Sequence, residues 1–253
     1  MELAGKVALV TGAGSGIGKA IAEVFGREGI HVLVNDVDPS GREVAERVGG
    51  TFLPADLADP QAVKALALKA LDARGRVDLL VNNAGFQHVS PVESFPEEIW
   101  AKMIQVMLTA PFQLIKYLIP GMKERGWGRV INVASLHGVV ASPFKAAYIS
   151  AKHGMLGLTK TVALEVAEHG VTVNAICPAY VRTPLVEKQI QAQAKTHGIP
   201  EGEVIAKVML EPAAIKRLIE PEEVAEFALY LASDRGQSFT GAAHLMDLGW
   251  TAR

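Results

Sequence analysis

Short apolar runs alternate with longer stretches of helical periodicity from one end of the chain to the other, and few architectures accept that order. The runs are Val7–Val10, Val32–Asn35, Thr51–Ala55, Leu79–Asn82, Val130–Ala134, Val171–Cys177 and Ala242–Asp247. Most are continuously apolar, as strands must be when helices cover both faces of their sheet. Helical patterns fall near Ile17–Glu28, Ser40–Val48, Pro60–Ala73, Pro96–Lys123, Pro143–Glu168 and Pro221–Leu231, several opening at the Pro or Ser that favours a helix start. The alternation predicts an α/β fold, a doubly wound parallel seven-stranded sheet with right-handed crossovers. No repeat or linker divides the chain, so residues 1–253 read as a single domain.

The rhythm breaks once, at about 183–219. This segment is polar and helix-prone, as in Glu187-Lys-Gln-Ile-Gln-Ala-Gln-Ala-Lys195, and it follows a strand's carboxyl end, where ligands bind in such sheets. It is expected to form a helical substrate lid; a surface excursion or an oligomer contact is the alternative.

Composition removes several function classes. A formal net charge of −2 gives no footprint for nucleic acid or an anionic membrane. The only cysteine, Cys177, has no internal partner, which suits a reducing compartment. The N-terminus lacks the pattern of a signal peptide, and no apolar run approaches the ~20 residues that span a bilayer, so a cytoplasmic protein is expected. His31, His153, His169, His197 and His244 show no metal-ligand spacing, so no catalytic metal is expected.

The first strand runs into Thr11-Gly-Ala-Gly-Ser-Gly-Ile-Gly18, and a helix follows at once. Glycines let backbone turn sharply and approach a phosphate, and the helix N-terminus offers free N–H groups with a partial positive charge. Strand before and helix after make this the phosphate turn of a Rossmann-type sheet. Asp36 closes the second strand, where a carboxylate accepts from a free ribose 2′-hydroxyl and repels a 2′-phosphate, so NAD is expected as cofactor. Asp56-Leu57 and Asn82-Asn-Ala-Gly85 stand at the ends of the third and fourth strands; either pair alone can be ordinary turn chemistry.

Tyr148 and Lys152 lie four apart in a predicted helix, hence on one face. A phenol with a pKa of ~10 is a poor base, and a neighbouring ammonium, helped by the nicotinamide's positive charge, is expected to move it down. Ser135, closing the fifth strand, offers a hydroxyl for a substrate oxygen.

With this ordered set the chain resembles the short-chain dehydrogenase/reductase family over essentially its whole length. The resemblance implies that Gly12, Ser15, Gly16, Ile17 and Gly18 cradle the NAD pyrophosphate and Asp36 the adenosine ribose. It places Asp56 and Leu57 at the adenine, Asn83, Ala84 and Gly85 along the cofactor backbone, and Pro178, Val181 and Thr183 beside the nicotinamide. Tyr148 would be the acid/base, Lys152 would hold the ribose and lower the tyrosine pKa, and Ser135 would orient the reacting oxygen.

Amide and cationic donors cluster near the expected site: Gln87 and His88 after the Asn-Asn-Ala-Gly loop, His137, Lys145, and Gln189 from the expected lid. Donors converging from separate loops suit a small carboxylate, although Lys145 alone reads equally well as a solvated charge and His137 as a capping residue. The runs Gly85–Glu93, Ala134–Ser142 and Val181–Ile190, with Gly249-Trp-Thr-Ala-Arg253, resemble the D-3-hydroxybutyrate dehydrogenase branch of the family. That implies a homotetramer, hydride transfer from D-3-hydroxybutyrate to NAD giving acetoacetate, a carboxylate site of Gln87, His137, Lys145 and Gln189, and Trp250 against the substrate. The alternatives are a 3-oxoacyl or other ketone reductase of the same family, or a cofactor-binding protein with impaired catalysis.

Three positions depart from the family pattern: Ala179 after Pro178, Tyr180 where tryptophan is common, and Met107 where an asparagine of the proton relay is usual. For Met107 two outcomes are open, a more regular helix through Gln105–Thr109 or a kink kept by packing without a side-chain hydrogen bond.

Overall fold

The structure is a computed structural model that describes residues 3–187, 190, 194 and 198–252. β1 (Val7–Thr11), β2 (His31–Asn35), β3 (Thr51–Phe52), β4 (Leu79–Asn82), β5 (Gly128–Val133), β6 (Val171–Pro178) and β7 (Ala243–Met246) form one sheet in the order β3-β2-β1-β4-β5-β6-β7. Every neighbouring pair is parallel. Between the strands run α1 (Gly16–Arg27), α2 (Ser40–Arg47), α3 (Pro60–Arg74), α4 (Glu97–Ile104), α5 (Ala110–Glu124), α6 (Ala146–Val166) and a last helix, Pro221–Ala232.

Successive strand side chains feed two cores. Ala8 and Val10 of β1, Val32 and Val34 of β2, and Leu79 and Val81 of β4 pack with Ile21 and Phe25 of α1 and Val224 and Leu231 of the last helix. Their neighbours Val7, Leu9, Leu33 and Leu80 pack on the opposite face with Leu66 of α3, Leu114 of α5 and Val162 of α6. Both faces are covered, which is why the runs are apolar at consecutive positions. The strand order reverses between β1 and β4, and a crevice opens outside their carboxyl ends.

Three local departures from the sequence pattern have physical causes. β3 is shorter than Thr51–Ala55 because Pro54 has no N–H to donate; the Asn35 amide completes the connection by donating to the Leu53 and Ala55 carbonyls at 3.0 and 3.3 Å. The helix expected over Pro96–Lys123 is interrupted by a π turn at Gln105–Thr109, where the Ala110 N–H reaches back to the Gln105 carbonyl. Pro111 explains it: the Met107 carbonyl would accept from residue 111, which has no N–H and whose ring crowds that carbonyl. The helix expected from Pro143 starts at Ala146, because Phe144 has φ +68° and Lys145 takes the N-cap.

Segment 183–219 is fastened at its base by parallel pairing of Val181 with Ile219: the Arg182 N–H donates to the Ile219 carbonyl (2.8 Å) and the Ile219 N–H to the Tyr180 carbonyl (2.9 Å). Val186, Ile190, Val204, Met209, Leu210, Ala213 and Leu218 bury one another in a separate small core, against which Tyr180, Leu248 and Trp250 pack. Its described helical pieces are 184–187, Glu201–Val204 and a π turn at Ile205–Met209. No described helix is long and apolar enough to cross a membrane.

Candidate active site

The crevice at the carboxyl ends of the strands has a volume of about 470 Å³ and runs from Asp36 to Tyr148. Gly12, at φ +62°, carries the turn from β1 into α1, and a Cβ there would come within 2.8 Å of the Ala84 Cα. At Gly18 a Cβ would overlap the Gly12 carbonyl oxygen, so the turn and the start of α1 touch backbone to backbone. Asn83 donates to the Thr11 and Gly12 carbonyls at 2.9 and 3.0 Å, while the Thr11 hydroxyl accepts from the Asn83 and Ala84 N–H groups at 3.0 and 3.2 Å. The Asn-Asn-Ala-Gly loop thus holds the glycine turn in place.

Ser15 caps α1 without using its side chain, so its hydroxyl and the first N–H groups of the helix are free to meet an anion. The Asp36 carboxylate accepts from the Gly14 N–H at 2.8 Å and the Asp38 N–H at 2.9 Å, and a carboxylate has further lone pairs for a diol. Gly16, Ile17, Asp56, Leu57, Ala84, Gly85, Pro178, Val181 and Thr183 line the same crevice, and the Thr183 methyl packs on Gly16. A turn that a Cβ would block, above an unpaired helix start, with a carboxylate at the second strand's end, fits a dinucleotide cofactor.

At the far end the Lys152 ammonium donates to the Val133 carbonyl at 2.7 Å and lies 5.6 Å from the centre of the Tyr148 ring. Burial lowers Lys152 to about 8. Burial also raises Tyr148 above an ordinary phenol, with the neighbouring Ser135 hydroxyl opposing it in part. In the chain by itself desolvation outweighs the Lys152 ammonium, and the positive charge of a bound nicotinamide is the other contribution expected to favour the phenolate. Cys177, beside them, is pushed by burial up to about 11 and is a packing thiol at neutral pH.

A second cavity, about 80 Å³, adjoins the crevice and brings Gln87, His137 and Lys145 together beside Ser135 and Tyr148. Gln87 accepts from the His88 N–H at 3.2 Å with its carbonyl, leaving its NH₂ to donate. His137 is buried, meets Ser142 Oγ through Nε2 at 2.6 Å, and stands edge-on to the Tyr148 ring. Burial, with Lys145 and His153 adding to it, lowers His137 to about 4, so its ring is neutral at physiological pH. Burial likewise pulls Lys145 below an ordinary lysine; its ammonium donates a long bond, 3.5 Å, to the Tyr180 hydroxyl. An anion in this cavity would reverse that shift.

His88 turns away to an edge contact with Phe95. Trp250 packs against the small core of segment 183–219, its ring 6.1 Å from that of Tyr180, which lines the cavity. Gln189 lies outside the described residues. Met107 is fully buried in the π turn with its thioether against Gly85, so the kinked outcome holds. Sequence reasoning missed Ser142 as the partner of His137 and Lys102 at the mouth of the crevice. Ser142 carries no motif, and Lys102 looks like any exposed helical lysine.

Residues 6–194 match the family described as short chain dehydrogenase, and the chain belongs to that family. A D-beta-hydroxybutyrate dehydrogenase from Rhizobium meliloti (strain 1021) is 51% identical over 98% of this chain and 99% of the relative. A second, from Cupriavidus necator, is 43% identical over 99% of this chain and 100% of the relative. A cyclohexanol dehydrogenase from Acinetobacter sp. (strain SE19) is 36% identical over 98% and 96%. A solved structure described as ribose-5-phosphate isomerase from Brucella melitensis 16M superposes with a TM-score of 0.88 at 33% identity, covering 98% of this chain and 93% of that one.

Proposed function

We propose that the chain is an NAD-dependent dehydrogenase of a small 3-hydroxy acid, converting D-3-hydroxybutyrate to acetoacetate. The observation that carries this reading is the small cavity in which Gln87, His137 and Lys145 meet beside Ser135 and Tyr148. A neutral imidazole, a primary amide and an ammonium are a donor set for a carboxylate, and the volume admits only a short chain. The relatives described as D-beta-hydroxybutyrate dehydrogenases support the same choice of acid.

Gly12, Ser15 and the start of α1 would hold the NAD pyrophosphate, Asp36 the ribose diol, and Lys152 the nicotinamide ribose. When bound, NAD supplies the hydride acceptor and a positive charge at the nicotinamide end. Lys145 and Gln87 fix the acid end of the substrate, with Gln189 assigned to the same task from sequence. Ser135 donates to the substrate oxygen, and Tyr148 takes its proton once its phenol is ionised. Lys152, lowered to about 8 and so still mostly an ammonium at neutral pH, favours the ionised phenol by its charge. Asp36 favours NAD, because a 2′-phosphate would face a carboxylate. Phe112 on α5 and Leu164 on α6 are exposed apolar residues on the helices assigned to a homotetramer contact.

The test is to follow the reduced cofactor with NAD or NADP on D- and L-3-hydroxybutyrate and cyclohexanol, and with NADH or NADPH on acetoacetate and a 3-oxoacyl thioester. Fastest turnover with NAD and D-3-hydroxybutyrate is expected. Preference for NADPH and the thioester would make the chain a 3-oxoacyl reductase, and no turnover with any pair would leave a binding protein.

A further inference from the structure

Two residues other than glycine adopt a left-handed backbone among the described residues, Phe144 at φ +68° and Leu248 at φ +57°. Bulky L-residues rarely do so, and such strain persists only where the surroundings enforce it, often at ligand sites. Phe144 adjoins the acid cavity through its neighbour Lys145, whereas Leu248 packs against the small core of segment 183–219. Leu248 stands two residues before Trp250, and its carbonyl accepts from the Ala214 and Ile215 N–H groups at the exit of segment 183–219. Phe144 directly precedes Lys145.

Burial of the side chain does not explain Phe144, because its ring is 55% exposed. Its backbone is held instead: the Ser90 N–H donates to the Phe144 carbonyl at 2.9 Å. Ser90 lies three residues after Gln87, in the loop that brings that amide to the cavity. One main-chain bond therefore joins the loop of Gln87 to the loop of Lys145. The left-handed residue is also where the chain turns into α6, so it sets the direction in which Lys145, at the N-cap, leaves the backbone. A right-handed or extended residue 144 would redirect both the Lys145 side chain and the carbonyl that Ser90 holds.

We propose that Phe144 is a positioning residue, whose left-handed backbone, latched to Ser90, aims Lys145 into the acid cavity and so sets the preference for a carboxylate over a neutral substrate. This rests on the acid-dehydrogenase reading above, and it concerns the backbone of Phe144, not its ring.

That distinction gives the experiment. Phe144→Asn and Phe144→Gly remove the ring but tolerate the left-handed region, whereas Phe144→Val removes the ring and opposes that region. For each variant and the wild type, KM and kcat are measured with D-3-hydroxybutyrate and with its methyl ester, alongside NAD affinity and thermal midpoint. Phe144→Val is expected to raise KM for the acid about tenfold and to lower the acid-to-ester preference equally, with kcat and NAD affinity within about twofold. Phe144→Asn and Phe144→Gly should keep the wild-type KM and preference. Equal loss in all three variants would assign the effect to the ring and overturn the proposal, as would a Phe144→Val enzyme indistinguishable from wild type. If the wild type itself shows no preference for the acid, the acid reading falls and the proposal with it; wild-type preference with unresponsive variants removes the proposal alone.

Discussion

The two ends of the crevice are built by different means. At the dinucleotide end the turn that would face the cofactor is main chain, held from behind by side chains: Asn83 and Thr11 lock it through four side-chain-to-backbone bonds, and the Asp36 carboxylate accepts from the Gly14 N–H. At the acid end the facing groups are themselves side chains, and sparsely held. His137 has Ser142, Lys145 has one long bond to Tyr180, and the left-handed Phe144 directly precedes Lys145. A turn made of main chain is insensitive to most side-chain changes, which suits a cofactor shared across a family. A site made of a few side chains on loops can be retuned one residue at a time, and substrate choice is written there.

The comparison breaks first at the residue the two ends share. Tyr148→Phe should cut kcat by about 10²-fold or more, because the proton acceptor is lost, while NAD affinity stays within twofold of wild type. Lys152→Ala should damage both. Loss of NAD binding in Tyr148→Phe would show that the two ends are not separable.

The acid end should also be the pH-sensitive one. His137 in the folded chain is lowered to about 4 from 6.5, so protonation is disfavoured by folding. The penalty is complete below about pH 4, fades as pH rises to 6.5, and is absent above it, which amounts to roughly 3 kcal/mol. Unfolding titrations between these pH values should show the wild type losing that much more stability than His137→Gln on acidification. Parallel curves would remove the buried neutral imidazole from the account.

Asp36→Ala should narrow the NAD-to-NADP ratio in kcat/KM about tenfold and leave the KM for the acid unchanged. A change in acid KM would mean that the dinucleotide end reaches into substrate choice.

The smallest rate effect is expected at Met107. Methionine offers no strong donor for a proton relay, so Met107→Asn should raise kcat only severalfold, mostly at low pH, as bulk water already serves in its absence. The same change exchanges a fully buried thioether for a shorter polar group and should cost about 2 kcal/mol of stability. Superimposable pH–rate profiles would show that the side chain carries no catalytic weight.

What was legible in the sequence follows the same division. The strands, the glycine turn, Asp36 and the Tyr148–Lys152 pair obey local rules of period, turn chemistry and spacing, and all stand close to where those rules put them. The π turn was legible in Pro111, four residues past Met107, whose missing N–H leaves the Met107 carbonyl without its regular helical donor. Phe144 was not legible, because its backbone is fixed by Ser90, 54 positions away. The packing around Trp250 was not legible for a related reason: Val186, Ile190 and Leu218 read as scattered apolar residues in a polar segment, yet they form the small core against which Trp250 packs. The burial that neutralises His137 and raises Tyr148 is likewise a property of packing between distant elements.

The central claim, that Lys145 and its neighbours form a carboxylate site beside the Tyr148 hydroxyl, is tested most directly by one ratio. It is kcat/KM for D-3-hydroxybutyrate over that for its methyl ester, with NAD, in the wild type and in Lys145→Ala. A charge-assisted bond contributes about 1.5–3 kcal/mol, so the wild type should favour the acid by about tenfold or more, and Lys145→Ala should lose most of that preference through KM. Equal use of acid and ester by the wild type would contradict it.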